Sequence, residues 1–298
     1  MSSTSTTSAT SATVMANAPA TMSPHPLVWS LVLKQELTEL WLGGKALNLL
    51  IVFSVLLSAT AYLLGTNNEL HMIPPRQMEV ITLQAVMAFG LFIGLVLGAD
   101  GITGERERTT LEPLLLSPAS RRQIVFGKFL AALSPWPLAF VLSIPYLVVL
   151  AQRDAVLVPS VVWGAVFGTL LAIVYTCAGL LVSIWSTSSR VSLFISLLIY
   201  LVSLLPDQLP GQVQTSFVGL AMQLIDPLEA TNQFLQQGLV DGVPWAGVLM
   251  YLIACSVVTV VMLGVLFLYA TPRLGLDGGK SPIARTLRSL AKRVEASQ

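Results

Sequence analysis

Six stretches of this chain are apolar over about the length that carries an α-helix across a bilayer: 46–65, 80–99, 129–150, 161–185, 191–206 and 246–270. A hydrocarbon core of about 30 Å needs about 20 helical residues at 1.5 Å each. Most of the stretches supply that; the run 191–206 is the shortest and has to borrow length from its flanks. Composition agrees, because only 10% of the residues are charged, against about 25% in soluble domains. The expected fold class is therefore an all-α polytopic membrane protein with six spans. Prolines at 135, 137 and 145 mark the third span as kinked, with neighbouring helices re-satisfying the freed carbonyls.

Orientation follows from charge. Of the 16 Lys and Arg, all but Arg76 and Arg153 fall on one side if both termini are cytoplasmic, which is the asymmetry of the positive-inside rule. The expectation is a multi-pass protein of the cell (inner) membrane, with one transmembrane domain over 27–272. Residues 1–26 form a Ser/Thr/Ala tract without Lys, Arg, Asp or Glu. It lacks the positive and apolar regions of a secretory signal, and reads as a disordered tail or as sequence upstream of a start at Met22. Residues 273–298 form a basic tail whose Arg285–Arg293 stretch suits anionic headgroups of the inner leaflet.

Three helices are expected outside the spans. Residues 27–42 precede the first span and stop at Gly43-Gly44; Trp29, Leu33, Leu37 and Leu40 share one sector of that helix. It reads as an interfacial helix, with a cytoplasmic extension of the first span as the alternative. The external segment 207–245 contains no Lys or Arg, and Val213, Phe217, Leu220 and Leu224 recur at helical spacing,. Asp226-Pro227-Leu228-Glu229 then starts a second helix that closes at Gly238,. Both are too short to span, so the pair either re-enters the outer leaflet or lies flat on it.

Several kinds of chemistry find no support. No ionisable residue lies in the middle of a predicted span; Asp100, Arg190 and Asp207 sit at the ends. Ion-coupled transporters usually place such residues at the midplane, at about 2.5–3.5 kcal/mol each on insertion scales. The pattern speaks against a self-powered antiporter, although backbone carbonyls alone can bind sodium. His25 and His71 lie outside the spans and cannot serve an intramembrane protease,. Cys177 and Cys255 are isolated in apolar runs, with no metal-ligand spacing,. The nearest approach to a phosphate loop, 275–281, has Leu274 where the motif wants glycine,. The expectation is a non-enzymatic chain without catalytic, cofactor or metal site, and without a basic face for nucleic acid.

The positive evidence is the charged insert between spans two and three, DGITGERERTTLEPLLLSPASRRQIVFGK, Asp100 to Lys128. Glu105, Arg106, Glu107 and Arg108 point several ways around a helix, so they cannot all idle on one face. Thr110 can cap a short helix whose first turn tolerates Pro113, exposing Leu111, Leu114 and Leu115,. Ser117-Pro118 then reads as the cap and first residue of a new helix carrying Arg121, Arg122 and Lys128 into span three. A short helix with an apolar ridge and charged flanks fits a groove on a soluble partner.

These residues resemble a known family. Glu105-Arg106-Glu107-x-x-Thr110-Leu111-Glu112-x-Leu114-Leu115-x-Ser117-Pro118, followed by Arg121 and Gly127-Lys128, is similar to the first cytoplasmic loop of ABC-2-type permeases, the membrane subunits of ATP-binding-cassette exporters. The order of parts along the whole chain resembles that family too. One departure is Thr109, where the family usually has glycine before the Thr-Leu-Glu run. The resemblance implies a dimer with a second copy or a related permease, and separate ATPase subunits carrying ATP and Mg. It implies that Thr110–Leu116, with Glu112, is the coupling helix, and that Glu105, Arg106, Glu107 and Arg108 transmit movement to it, with Pro118, Arg121 and Arg122 at its far side. The rival readings are a self-contained secondary transporter or channel, and a membrane scaffold that recruits an ATPase without transporting. No substrate site is assigned; polar span residues such as Gln84, Thr176, Ser183 and Ser203 serve helix packing as readily as a pathway.

Overall fold

The structure, a computed structural model, describes residues 28–66, 74–111, 116, 120–150, 157–205 and 226–274. Among these, every regular element is a helix. In chain order they are α1 (Val28–Leu42), α2 (Lys45–Thr66), α3 (Pro75–Asp100), α4 (Thr103–Glu107), α5 (Arg121–Leu133), α6 (Pro135–Leu150), α7 (Leu157–Trp185), α8 (Ser189–Ser203), α9 (Pro227–Leu235) and α10 (Trp245–Gly264). α9 runs on into a π-helical turn, Gln236–Val240, and α10 into another, Val265–Ala270.

Among the described residues, five stretches are long and apolar enough to cross a membrane: Lys45–Thr66, Arg76–Glu107, Arg121–Leu150, Leu157–Trp185 and Gly247–Arg273. They correspond to five of the six predicted spans. The sixth, α8, has only 15 residues, or about 22 Å, and does not reach across by itself. The external helix predicted over 213–224 lies outside the described residues, as do 1–26 and the basic tail beyond Leu274.

At the centre, α3 and α7 pack along their length. They approach so closely that a Cβ on Gly179 would lie 2.3 Å from the Leu95 carbonyl oxygen, and one on Gly98 would lie 2.8 Å from that of Thr176. Small residues let two membrane helices touch backbone to backbone, where van der Waals contact has to replace a hydrophobic drive. Around this pair, Phe53 and Leu57 of α2, Leu83, Met87 and Leu91 of α3, and Phe167 and Leu171 of α7 form the main core. A second core at the charged end joins Ile102, Leu111, Val125, Phe129, Leu180 and Leu266. α2, α8 and α10 each turn an apolar face outward, including Ile51 and Val55, Phe194 and Leu198, and Ile253 and Val260. Such faces suit lipid rather than water.

The helix breaks have local causes. Gly44 adopts φ +77° between α1 and α2, so α1 is not a straight extension of the first span. It lies instead along α5, with Trp29 edge-on to Phe126 and Val32 against Gly127. The break between α3 and α4 frees the N–H groups of Ile102 and Thr103, and both donate to the Ser183 hydroxyl of α7, at 3.0 and 2.9 Å. The kink predicted in the third span falls at Ser134, between α5 and Pro135 at the start of α6. There the Trp41 indole donates to the Ser134 hydroxyl at 3.1 Å.

The second external helix does not lie flat. Leu228, Glu229, Ala230, Thr231, Phe234 and Leu235 of α9 are buried, and Phe234 stacks on Phe167 with ring centroids 4.4 Å apart. Asp226, the N-cap of α9, accepts from the Leu228 N–H at 3.0 Å and from the Ser203 hydroxyl at the end of α8, also at 3.0 Å. Ser203 in turn meets Tyr175, ten residues, or about 15 Å, from the Trp185 end of α7,. The short α8 and the short α9 thus meet halfway along the bundle, α9 continuing where α8 stops. The sequence places no ionisable residue in the middle of a predicted span, and Asp226 lies in none of them; the fold nevertheless brings its carboxylate to mid-bundle from the segment between α8 and α9.

Candidate functional site

The four consecutive charges 105–108 reach four different helices. Glu105 accepts from the Lys128 ammonium of α5 at 2.5 Å. Arg106 donates to the carbonyl oxygens of Ser186 and, at 3.5 Å, of Ile184, at the C-terminal end of α7. Glu107 accepts from the Ser189 N–H at the start of α8, at 2.8 Å. Arg108 donates to Glu39 of α1 at 2.6 Å. Adjacent residues on a helix are about 100° apart, so a five-residue helix with charges in succession must address its whole surroundings. Two of the contacts also suit helix ends: a cation at the C-terminus of α7 and an anion at the N-terminus of α8.

Lys128 is the deepest member. Its side chain is 2% exposed, and it donates to Glu36 of α1 at 2.6 Å as well as to Glu105. Two carboxylates thus share one buried ammonium. The bridge between Arg108 and Glu39 is about half exposed and contributes at most about 1 kcal/mol. Lys45 pairs with Asp100 at 2.6 Å across the α2–α3 junction. Together these contacts clasp α1, α4, α5, α7 and α8 at one end of the bundle.

Beyond the clasp the chain turns sharply. The Thr110 N–H and hydroxyl both reach back to the Glu105 carbonyl oxygen, at 3.0 and 3.3 Å. Thr109 adopts φ +60°, in the left-handed region where a β-branched residue is strained and glycine is not. This is the position at which the sequence departs from the usual glycine of the family it resembles. Leu111, expected on an exposed ridge, is 1% exposed and belongs to the charged-end core; Leu116 is 80% exposed. Glu112, Leu114, Leu115 and Pro118 lie outside the described residues.

The following helix starts at Arg121 rather than at Pro118. Ser120 caps it, with Gln123 completing a capping box,. Arg121 donates to the Pro272 carbonyl oxygen at 3.0 Å, tying the insert to the last turn of the bundle, and Arg122 is exposed.

Sequence reasoning missed Glu36, Glu39 and Lys45 as partners of the insert. Glu36 falls between Leu33, Leu37 and Leu40 on the inner sector of α1. An acid among apolar residues at that spacing signals a cation partner, and only the fold shows it to be Lys128, 92 positions away.

A family model described as ABC-2 family transporter protein matches residues 31–270. The chain belongs to the ABC-2 transporter family. No curated individual protein matches the sequence. The match begins within α1 and ends with the turn after α10, so it covers the clasp, the central helix pair and the α8–α9 junction of this permease. It is an integral membrane protein of the ABC transporter class.

Proposed function

We propose that this permease is the membrane half of an ATP-driven exporter, worked by separate ATPase subunits that seat against the insert 100–128. The observation that carries the reading is the clasp. A partner that displaces the segment after Arg108 pulls on α1, α5, α7 and α8 together, because each holds one residue of 105–108. The charged end would face the cytoplasm of the cell membrane, with both termini there. α8 and α9 would jointly make the sixth crossing.

Two permease copies, or this chain with a related one, would enclose the pathway, with outward apolar faces available for pairing. ATP and Mg would bind the partner subunits and not this chain. Nucleotide would drive the cycle by favouring one arrangement of the clasp over another, a population shift. Asp226 at mid-bundle is what an ion-coupled transporter would use. The family and the clasp weigh for ATP, and transport in sealed vesicles that needs an ion gradient but no nucleotide would reverse that choice.

A photo-crosslinking residue at Leu116, which is 80% exposed, tests the seat. In native membranes it should capture an ATP-binding-cassette subunit, whereas the same probe at Ile253, 63% exposed on α10, should not. Capture of that subunit equally at both positions, or at neither, removes the insert from the docking role.

A further inference from the structure

A cavity of about 380 Å³ opens beside the α8–α9 junction, walled by Val174, Tyr175 and Ala178 of α7, Val258 and Met262 of α10, and Asp226. Its rim includes Ile199 and Val202 of α8, 36% and 55% exposed, so it is reached from the outer face of the bundle. This is the volume and the mostly apolar lining of a small-molecule site with few polar groups.

The polar groups converge on one carboxylate. The Ser203 hydroxyl has a single proton and donates it to Asp226 at 3.0 Å, so Tyr175 is the donor in its own contact with Ser203,. The Leu228 N–H also donates to Asp226, so two donors meet the carboxylate directly and Tyr175 orders one of them. No described Lys or Arg forms an ion pair with it, and the sequence has none between Arg190 and Arg273. A carboxylate fixed among apolar side chains without a counter-charge is an incomplete pair.

We infer that this cavity binds an amphiphilic cation, its apolar body between α7, α8 and α10 and its positive charge at Asp226. Taking that molecule as the exported substrate rests on the exporter reading above; the binding site does not.

The test uses the full chain purified in detergent micelles, with radiolabelled tetraphenylphosphonium as the probe. Tetraphenylborate serves as the competitor of like shape and opposite charge. Asp226→Asn removes the charge and keeps an N-cap acceptor for α9. The expected result is saturable binding of one cation per chain, weakened about tenfold or more by Asp226→Asn and not displaced by tetraphenylborate. Val202→Trp, at the exposed rim, should also block binding, and it decides the matter if Asp226→Asn fails to fold. Unchanged binding in the folded Asn variant, equal displacement by the borate, or no saturable binding to the wild type overturns the proposal. Cation binding without any ATPase partner would leave the site standing and remove the exporter reading. An ATPase partner without cation binding would do the reverse.

Discussion

Removing the ammonium of Lys128 would leave Glu36 and Glu105 facing each other in a nearly closed space. Breaking a buried pair from one side costs about 3–5 kcal/mol, because the remaining charge is uncompensated. Lys128→Met should therefore lower the melting temperature in micelles sharply. Adding Glu105→Gln should recover part of the loss. A double variant no more stable than the single one would mean that the cluster does not hold this end together. Thr109 works in the other direction. Its φ of +60° costs about 1 kcal/mol or more in a non-glycine residue, so Thr109→Gly should raise the melting temperature; a fall would place compensating contacts at the threonine. At this scale the sequence was partly legible. Four successive charges implied several partners, while the departure from glycine at Thr109 left open the exact turn, which its φ of +60° defines. Leu111 was misread because its helical spacing with Leu114 and Leu115 says nothing of which side of the chain the core lies on.

Whole helices were easier to read than their ends. The apolar runs located α2, α3, α7 and α10, since the membrane demands length and hydrophobicity that few other segments have. Ser120 was passed over as the cap of α5 because Ser117-Pro118 offered an equally good signal three residues earlier. The depth of α9 was hidden for a different reason. Helical spacing gave an amphipathic segment, but only packing against Trp163 and Phe167 decides whether it lies on the bundle or inside it. Phe234→Ala should destabilise the protein by about 3–5 kcal/mol, as for a fully packed aromatic, and a loss under about 1 kcal/mol would return α9 to the surface. The α3–α7 contact makes an equally specific claim. Gly179→Ala puts a methyl group within 2.3 Å of a backbone oxygen, where no side chain can yield. The helices must separate, at about 1–3 kcal/mol or more. Melting of this variant at the wild-type temperature would contradict the close approach.

For the whole molecule, the charged insert, the clasp and the central helix pair form one mechanical path. Force applied beyond Arg108 would reach α4 first, then α7 and α8 through Arg106 and Glu107, and so the contact that α7, α8 and α9 make halfway along the bundle at Tyr175, Ser203 and Asp226. That continuity was not legible in the sequence, because the contacts join residues about 80 positions apart. Glu112→Lys, which reverses a charge on the proposed seat, should leave the chain inserted and melting normally while ATP hydrolysis by the complex no longer drives transport. Unchanged transport would remove Glu112 from coupling.

ATPase coupling through the insert is tested by affinity purification of this chain from its native host in mild detergent, with every co-purifying protein identified. An ATP-binding-cassette subunit should be present with the wild-type chain and lost when residues 110–116 are scrambled in a protein still correctly inserted. A correctly inserted wild-type chain that brings down no ATPase, or a scrambled one that keeps it, would remove ATPase docking from the insert.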